Sequence, residues 1–133
     1  RAAAIKTYEQ VLTKTPDNFV VLNNLAYLAL EDKNLTRAEE LAKKAVSQQR
    51  ENADAVDTLA QIYVAKGDKA AALKLYEEVS ARPIANDDVY LNHVSVLLEL
   101  DKKALASRKL ASREFKSEAA KQRAESLKQQ YGL

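Results

Sequence analysis

The sequence contains no cysteine, and only two glycines and two prolines occur among its 133 residues. Without cysteine, these residues cannot form a disulfide framework, a thiolate metal site or a cysteine nucleophile. Glycine and proline are the residues that most often mark turns, so their scarcity argues against a fold rich in β-sheet. A length of 133 residues allows a single domain. We therefore predict one all-α domain.

Residues suited to catalysis are also scarce. Gly67 and Gly132 alone cannot build a glycine-rich phosphate-binding loop. His93 is the one histidine, so neither a zinc pair nor a histidine-based triad can be assembled around it. We expect His93 to pack between helices. We also predict that the chain is not an enzyme and has no cofactor, no metal site and no catalytic residue.

No apolar run approaches the ~20 residues that a membrane-spanning helix needs. The chain starts at Arg1, and the residues after it do not have the pattern of a signal peptide. We expect no membrane span in these residues, and we expect them to be part of a longer protein. Any targeting signal would then lie upstream, which leaves the cytoplasm and the periplasm both open as the compartment.

Charge is divided unevenly along the chain. Residues 101–133 contain nine Lys or Arg and four Asp or Glu, whereas the first hundred residues contain 12 and 15. A basic terminal helix can contact nucleic acid. Here, however, Lys121 and Arg123 are interspersed with Glu118 and Glu125, as on an ordinary solvated helix. We therefore predict no nucleic-acid partner and a mildly acidic body.

Alanine recurs with a period of 34 residues. Ala26 and Ala38 return as Ala60 and Ala72, and the leucine that precedes the first alanine of each pair is kept as well. Paired helices repeated at this spacing are the signature of the tetratricopeptide repeat, and the chain resembles that family. Small side chains at these positions allow neighbouring helices to approach closely.

One repeat shows the resemblance most completely, and its matching residues are Val56, Leu59, Ala60, Tyr63, Gly67, Ala72, Tyr76 and Val79. The repeat before it has Ala29 where tyrosine is usual and Lys33 where glycine is usual. The resemblance implies an α-α superhelix, a right-handed solenoid of about eight antiparallel helices. We divide the chain into a repeat array at 1–116, with a half repeat at 1–16, repeats at 17–52 and 53–86, a degenerate repeat at 87–116, and a capping helix at 117–133.

Apolar spacing and capping residues predict the individual helices. Apolar side chains recur three and four residues apart. Asn and Asp stand where several of these segments begin, and their side chains can accept hydrogen bonds from the free amides of a first helical turn. The predicted helices are 2–14, 17 or 18 to 31, 35–49, 53–66, 69–81, 87–100, 102–115 and 117–131.

The resemblance also implies where a partner binds. In this family the first helix of each pair lines the inner surface, and the groove residues predicted there are Asn23, Asn24, Tyr27, Asp54, Asp57, Gln61, Asn92 and Ser95. The same register also places Val20, Glu31, Thr58, Asp88, Leu91 and Glu99 on that surface. None of these residues is Lys or Arg, so the basic clamp by which some relatives grip the C-terminal carboxylate of chaperones is absent. We predict a non-catalytic scaffold that binds an extended peptide or partner helix, neutral or basic.

Other interpretations stay open at this stage. Polar side chains on an exposed helix are also typical of ordinary solvated surface. Alternatively, the chain is a docking or regulatory arm of a larger enzyme such as a glycosyltransferase. The segments 23–27 and 56–60 resemble repeats of bacterial proteins associated with exosortase and exopolysaccharide systems. Finally, Ile5, Tyr8 and Leu12 on a first helix without a hairpin partner predict an apolar strip, and with it a dimer.

Overall fold

The chain forms eight α-helices and no β-strand in a computed structural model that describes residues 1–133. In chain order they are α1 Ala2–Lys14, α2 Phe19–Glu31, α3 Leu35–Gln48, α4 Ala53–Ala65, α5 Lys69–Val79, α6 Asp87–Glu99, α7 Lys103–Ala111 and α8 Glu118–Tyr131. The predicted all-α fold is confirmed. No helix combines the length and the apolar character that crossing a membrane requires.

The helices stack in two rows. Helices α2, α4, α6 and α8 contact one another in succession, and we call them the inner row. Helices α1, α3, α5 and α7 form the outer row. Each of α3, α5 and α7 packs between two successive inner helices, and α1 packs against α2. This arrangement is the predicted helical solenoid, in which α8 takes the place of one more inner helix.

The periodic alanines lie in the interior between the two rows. Ala26, Ala38, Ala60 and Ala72 are completely buried within the two apolar clusters that the inner and outer helices share. A methyl group at a helix crossing permits the short end of the ~8–10 Å range of interaxial distances. The 34-residue alanine period therefore marks the positions where neighbouring helices approach most closely.

Side-chain caps explain why the helices begin close to their predicted positions. The capping side chains that accept a hydrogen bond from a first-turn amide are Asn18, Asn34, Asn52, Asp68, Asn86 and Ser117. Such a cap stabilises a helix by ~1 kcal/mol relative to alanine. Because each cap acts within three residues of its own position, the helix starts are a local property of the sequence.

The links within the three helix pairs share a left-handed residue. Gly67 has φ +87°, and the residues one period before and after it, Lys33 and Asp101, have φ +62° and +60°. Glycine adopts this conformation without a steric penalty, whereas a residue with a Cβ is strained there. The link at Lys33, where glycine is usual, therefore has the same left-handed geometry as the link at Gly67.

Two helices end at least two residues earlier than predicted. Helix α7 stops at Ala111 instead of residue 115, because Arg113 turns back onto the link before α6. Its guanidinium donates to the carbonyls of Ile84 and Ala85 at 2.7 and 3.0 Å and pairs with Asp87. Helix α5 ends at Val79 instead of residue 81, in keeping with the proline at position 83, which disfavours helix just before it.

The apolar residues of helix α1 are covered more fully than expected. Ile5, Tyr8 and Leu12 are each partly buried against the cluster formed by α2 and α3. The apolar strip predicted from these residues is therefore directed towards the neighbouring helices. Dimerisation through this end of the chain stays a prediction.

Candidate functional site on the inner row

A cavity of about 450 Å³ opens at the N-terminal end of the inner row. It is lined by five of the eight predicted groove residues, namely Asn23, Asn24, Tyr27, Asp54 and Asp57. Helix α1 contributes Ala4 and Tyr8 to its wall, and the first turn of α6 contributes Asp88. No Lys or Arg lines the cavity.

Tyr27 is exposed at this cavity, and Asn24 lies partly buried beside it. The ring of Tyr27 is 52% exposed although it is large and apolar. The neighbouring Glu31 carboxylate, itself paired with Arg1 at 2.7 Å, raises the pKa of the Tyr27 hydroxyl. The Nδ2 of Asn24 donates to the Tyr8 hydroxyl oxygen over 3.4 Å, a long hydrogen bond that a competing ligand would replace readily.

The neighbouring amide of Asn23 is less satisfied. Its Oδ1 is buried and accepts no hydrogen bond. Most buried polar atoms in proteins have a partner, so an orphaned acceptor beside a cavity is a feature of note. Asn23 therefore lines the cavity while its Oδ1 is shielded from solvent.

Asp57 joins the cavity to a second polar group deeper in the stack. The Tyr76 hydroxyl donates to Oδ1 of Asp57 at 2.5 Å, and Nδ2 of Asn92 donates to the two oxygens of that carboxylate at 3.1 and 3.3 Å. Gln61 donates to the Tyr76 hydroxyl at 2.7 Å. Gln61 and Asn92, both predicted to face a partner, are thus engaged with other residues of the chain.

Arg123 of α8 completes this second group. Its Nη2 donates to Oδ1 of Asn92 at 2.7 Å and lies 3.4 Å from Oγ of Ser95. None of the residues predicted for the inner surface is Lys or Arg, but α8, predicted only as a capping helix, brings an arginine to it. The chain does contain a signal for it: Arg123 follows the cap Ser117 by six residues, as Asn92 follows the cap Asn86.

Burial sets the protonation of this group. Desolvation raises the pKa of Asp57, which the hydrogen bonds from Tyr76 and Asn92 partly offset. Burial and the nearby Asp57 carboxylate also raise the pKa of Tyr76, which keeps its hydroxyl a hydrogen-bond donor. The arrangement is suited to holding helices together, since it links α4, α5, α6 and α8 by hydrogen bonds.

Packing of helix α8 also buries one residue that was predicted to lie on the inner surface. Leu91 is completely buried and belongs to the same apolar cluster as Ala120 and Ala124 of α8. Its burial follows from the packing of α8 against α6. Asp88, one turn earlier, remains exposed at the cavity.

His93 lies in the core, as predicted. It is 5% exposed, stacks on the Tyr76 ring with centroids 5.2 Å apart, and has Nδ1 3.3 Å from Oγ of Ser80. Its Nε2 is buried without a hydrogen-bond partner. Burial, with a smaller contribution from Lys109, lowers the pKa of His93 to about 4. The ring is therefore neutral at physiological pH.

The two-row stack and its polar inner face define a helical-repeat scaffold. Two family models, both described as tetratricopeptide repeat, match residues 29–83 and 7–40, and together they span more than half of the chain. The chain belongs to the tetratricopeptide-repeat family and is, at this level, a protein-interaction scaffold of a typically non-catalytic kind.

Solved structures agree with this assignment. YrrB, described as a TPR protein with an unusual peptide-binding site, superposes with a TM-score of 0.70 at 22% identity, over 78% of this chain and 54% of YrrB. A crystal structure of MamA gives 0.69 at 22% identity, over 80% and 63% of the two chains. PilF of Pseudomonas aeruginosa gives 0.72 at 17% identity, over 96% and 67%.

These identities establish the shared fold and nothing narrower. The chain spans about half of the length of YrrB and less than two thirds of that of MamA. No curated protein matches the sequence.

Proposed function

We propose that this chain binds an extended segment of a partner protein in the cavity at the N-terminal end of the inner row. The observation that carries the proposal is the composition of that cavity, where Asn23, Asn24, Tyr27, Asp54 and Asp57 converge on about 450 Å³. Asparagine amides can both donate to and accept from a peptide backbone. An exposed tyrosine adds a rigid aromatic contact of the kind enriched at binding hot spots.

The charge of the cavity favours a neutral or basic partner. Asp54 and Asp88 are exposed at its wall, and Asp57 is half-buried there. Because no Lys or Arg faces them across the cavity, an acidic segment would bring like charges together. A basic segment would instead gain Coulomb energy on approach.

The remaining predicted groove residues have a supporting role in this proposal. Gln61, Asn92 and Ser95 hydrogen-bond to Tyr76, Asp57 or Arg123. They therefore position the Asp57 wall of the cavity, while the partner contacts the N-terminal end of the inner row.

A peptide-display selection tests this function. Random unstructured peptides are selected on the wild-type chain, and the enriched peptides are synthesised and titrated by fluorescence anisotropy. The double variant Asn24→Ala/Tyr27→Ala removes an amide and an aromatic contact from the cavity. Its affinity for the peptides should fall at least about tenfold, which corresponds to about 1.4 kcal/mol. Equal affinity for that variant and for the wild type would contradict the proposal.

A matched control uses the outer row. Lys74 and Glu77 of α5 are exposed and form no ion pair, so Lys74→Ala/Glu77→Ala removes two polar side chains without touching the cavity. This variant should bind the selected peptides as the wild type does. Circular dichroism of both double variants checks that neither has lost helix.

A further inference from the structure

The inner row carries two copies of one tyrosine–asparagine pair. Tyr76 and Asn92 follow Tyr8 and Asn24 by two 34-residue periods. In each copy the tyrosine comes from an outer helix and the asparagine from the next inner helix. We call the pair of Tyr76 and Asn92 the closed copy and the pair of Tyr8 and Asn24 the open copy.

The closed copy is completed from within the chain by two charged groups. The Asp57 carboxylate accepts from the Tyr76 hydroxyl at 2.5 Å and from Nδ2 of Asn92 at 3.1 Å. The Arg123 guanidinium donates to Oδ1 of Asn92 at 2.7 Å. Both hydrogen-bonding ends of the Asn92 amide are thus occupied.

The open copy lacks the cation of the closed copy. Asn24 donates only to the Tyr8 oxygen at 3.4 Å, and its Oδ1 accepts no hydrogen bond. On α4, the residue that corresponds to Arg123 is Thr58, six residues after the cap Asn52. The Thr58 side chain is short, and its hydroxyl donates to the Asp54 carbonyl at 3.1 Å. No cation of the chain therefore reaches Asn24 as Arg123 reaches Asn92.

Negative charge beside the open copy is not neutralised within the chain. The Asp54 carboxylate accepts only from Asn86 at 3.5 Å, at the limit of a hydrogen bond, and the Asp88 carboxylate has no hydrogen-bonded or ionic partner. Both line the same cavity as Asn24 and Tyr27. A cation that enters the cavity would meet these carboxylates, an amide acceptor and the exposed ring of Tyr27.

We infer that the cavity receives an arginine side chain of the partner segment, with its guanidinium on Oδ1 of Asn24 and with Asp54 and Asp88 as counter-charges. The inference rests on the function proposed above and specifies the chemistry of the ligand. Arginine fits better than lysine because a planar guanidinium donates in several fixed directions and stacks on aromatic rings. Arg123 shows the same donation to an inner-row asparagine in the closed copy.

Nuclear magnetic resonance titrations of the labelled chain test this inference with three probes. They are blocked alanine pentapeptides with a central arginine, lysine or citrulline; citrulline keeps the shape of arginine without its charge. The arginine peptide should shift the Asn24 side-chain amide and the backbone amides around Asp54. The citrulline peptide should bind at least about tenfold more weakly, since hydrogen bonds to charged groups contribute ~1.5–3 kcal/mol.

A pair of variants separates this site from general attraction to an acidic protein. Asp54→Asn/Asp88→Asn should weaken binding of the arginine peptide about tenfold or more. Asp17→Asn/Asp101→Asn removes the same charge at exposed positions outside the cavity and should leave the affinity unchanged. Equal binding of the citrulline and arginine peptides, or equal losses in both double variants, would overturn the inference. So would the absence of shifts at millimolar peptide.

Failure of this inference is distinguishable from failure of the proposed function. If selected peptides without arginine lose affinity with Asn24→Ala/Tyr27→Ala, the result supports the proposed groove and contradicts the arginine site. If selected peptides are indifferent to that variant, the groove itself is wrong.

Discussion

The two ends of the inner row differ in what surrounds an equivalent pair of residues. At the C-terminal end, Asp57 and Arg123 hold Tyr76 and Asn92 in a closed network. At the N-terminal end, Tyr8 and Asn24 share one long hydrogen bond and face a cavity. The same residue types therefore stabilise the stack at one end and, in the function proposed above, contact a partner at the other. The difference depends on which neighbouring helix contributes the matching charge.

Truncation of the two tyrosines should give the largest contrast. Tyr76 is 1% exposed, whereas Tyr8 is only partly buried. Tyr76→Ala should cost ~3–5 kcal/mol of unfolding free energy, as for other large aromatic residues removed from a core. Tyr8→Ala should cost well under half of that. Urea unfolding followed by circular dichroism measures both values, and equal costs would mean that the two ends are packed alike.

Acidification should act mainly on the closed end. His93 stacks on Tyr76 there, and the residue two periods earlier, Leu25, cannot titrate. Because burial lowers the pKa of folded His93 to about 4, the unfolded chain, with a histidine pKa of ~6.5, binds more protons between these values. Stability should therefore fall as pH decreases from 7 to 5, by on the order of 1–2 kcal/mol.

The variant His93→Leu checks the origin of this pH dependence. Leucine has a similar volume and is the residue found at the two equivalent positions, Leu25 and Leu59. Unfolding free energies of the variant should be nearly flat between pH 7 and 5. A slope as steep as that of the wild type would assign the effect to another group. Asp57, whose pKa is raised by burial, acts in the opposite direction and reduces the slope at the acidic end.

Removal of Arg123 should free Oδ1 of Asn92, the atom that is already free on Asn24 in the open copy. Arg123→Ala removes the hydrogen bonds to Asn92 and Ser95 and should destabilise the chain by about 1 kcal/mol. Amides of α8 should then exchange with deuterium faster than those of α4. The arginine pentapeptide should also begin to shift the side-chain amide of Asn92. If that amide is unaffected by the peptide, the two copies are not equivalent receptors.

The smallest expected effect lies in the links within the repeats. Lys33 has φ +62° at the position where Gly67 has φ +87°, and its side chain makes no hydrogen bond or ion pair. Lys33→Gly should stabilise the chain by ~0.5 kcal/mol. Glycine relieves the steric strain of the left-handed conformation, and the greater entropy of glycine in the unfolded chain offsets part of that gain. Gly67→Ala should destabilise it, since an L side chain is strained at that angle. Melting temperatures that move the other way would contradict the shared geometry.

Much of the fold was accessible from the sequence. The caps Asn52, Asp68 and Asn86 each act within their own first helical turn, so the helices after them began where they were predicted. The end of α7 was not accessible in this way. It depends on Arg113 reaching Ile84 and Asp87, residues that precede it by 29 and 26 positions.

The candidate site was predicted in part for the same reason. The 34-residue register brought Asn24, Tyr27 and Asp54 together at one cavity, because residues one period apart lie on adjacent inner helices. The register did not extend to α8, which lacks the consensus residues of the repeat. Arg123, which α8 places beside Asn92, was therefore not among the residues predicted for the inner surface.

Helix type, helix starts and the order of the stack follow from interactions between residues close in sequence, chiefly caps and the 34-residue alanine period. The availability of the inner polar residues was decided by tertiary contacts. Asn92 is bound because Asp57 and Arg123, 35 and 31 residues away, reach its two amide ends. Asn24 meets only the Tyr8 hydroxyl, because the α4 residue at the place of Arg123 is Thr58. A hydrogen bond depends on distance and direction between two groups, and between distant residues only the packing of helices sets those quantities.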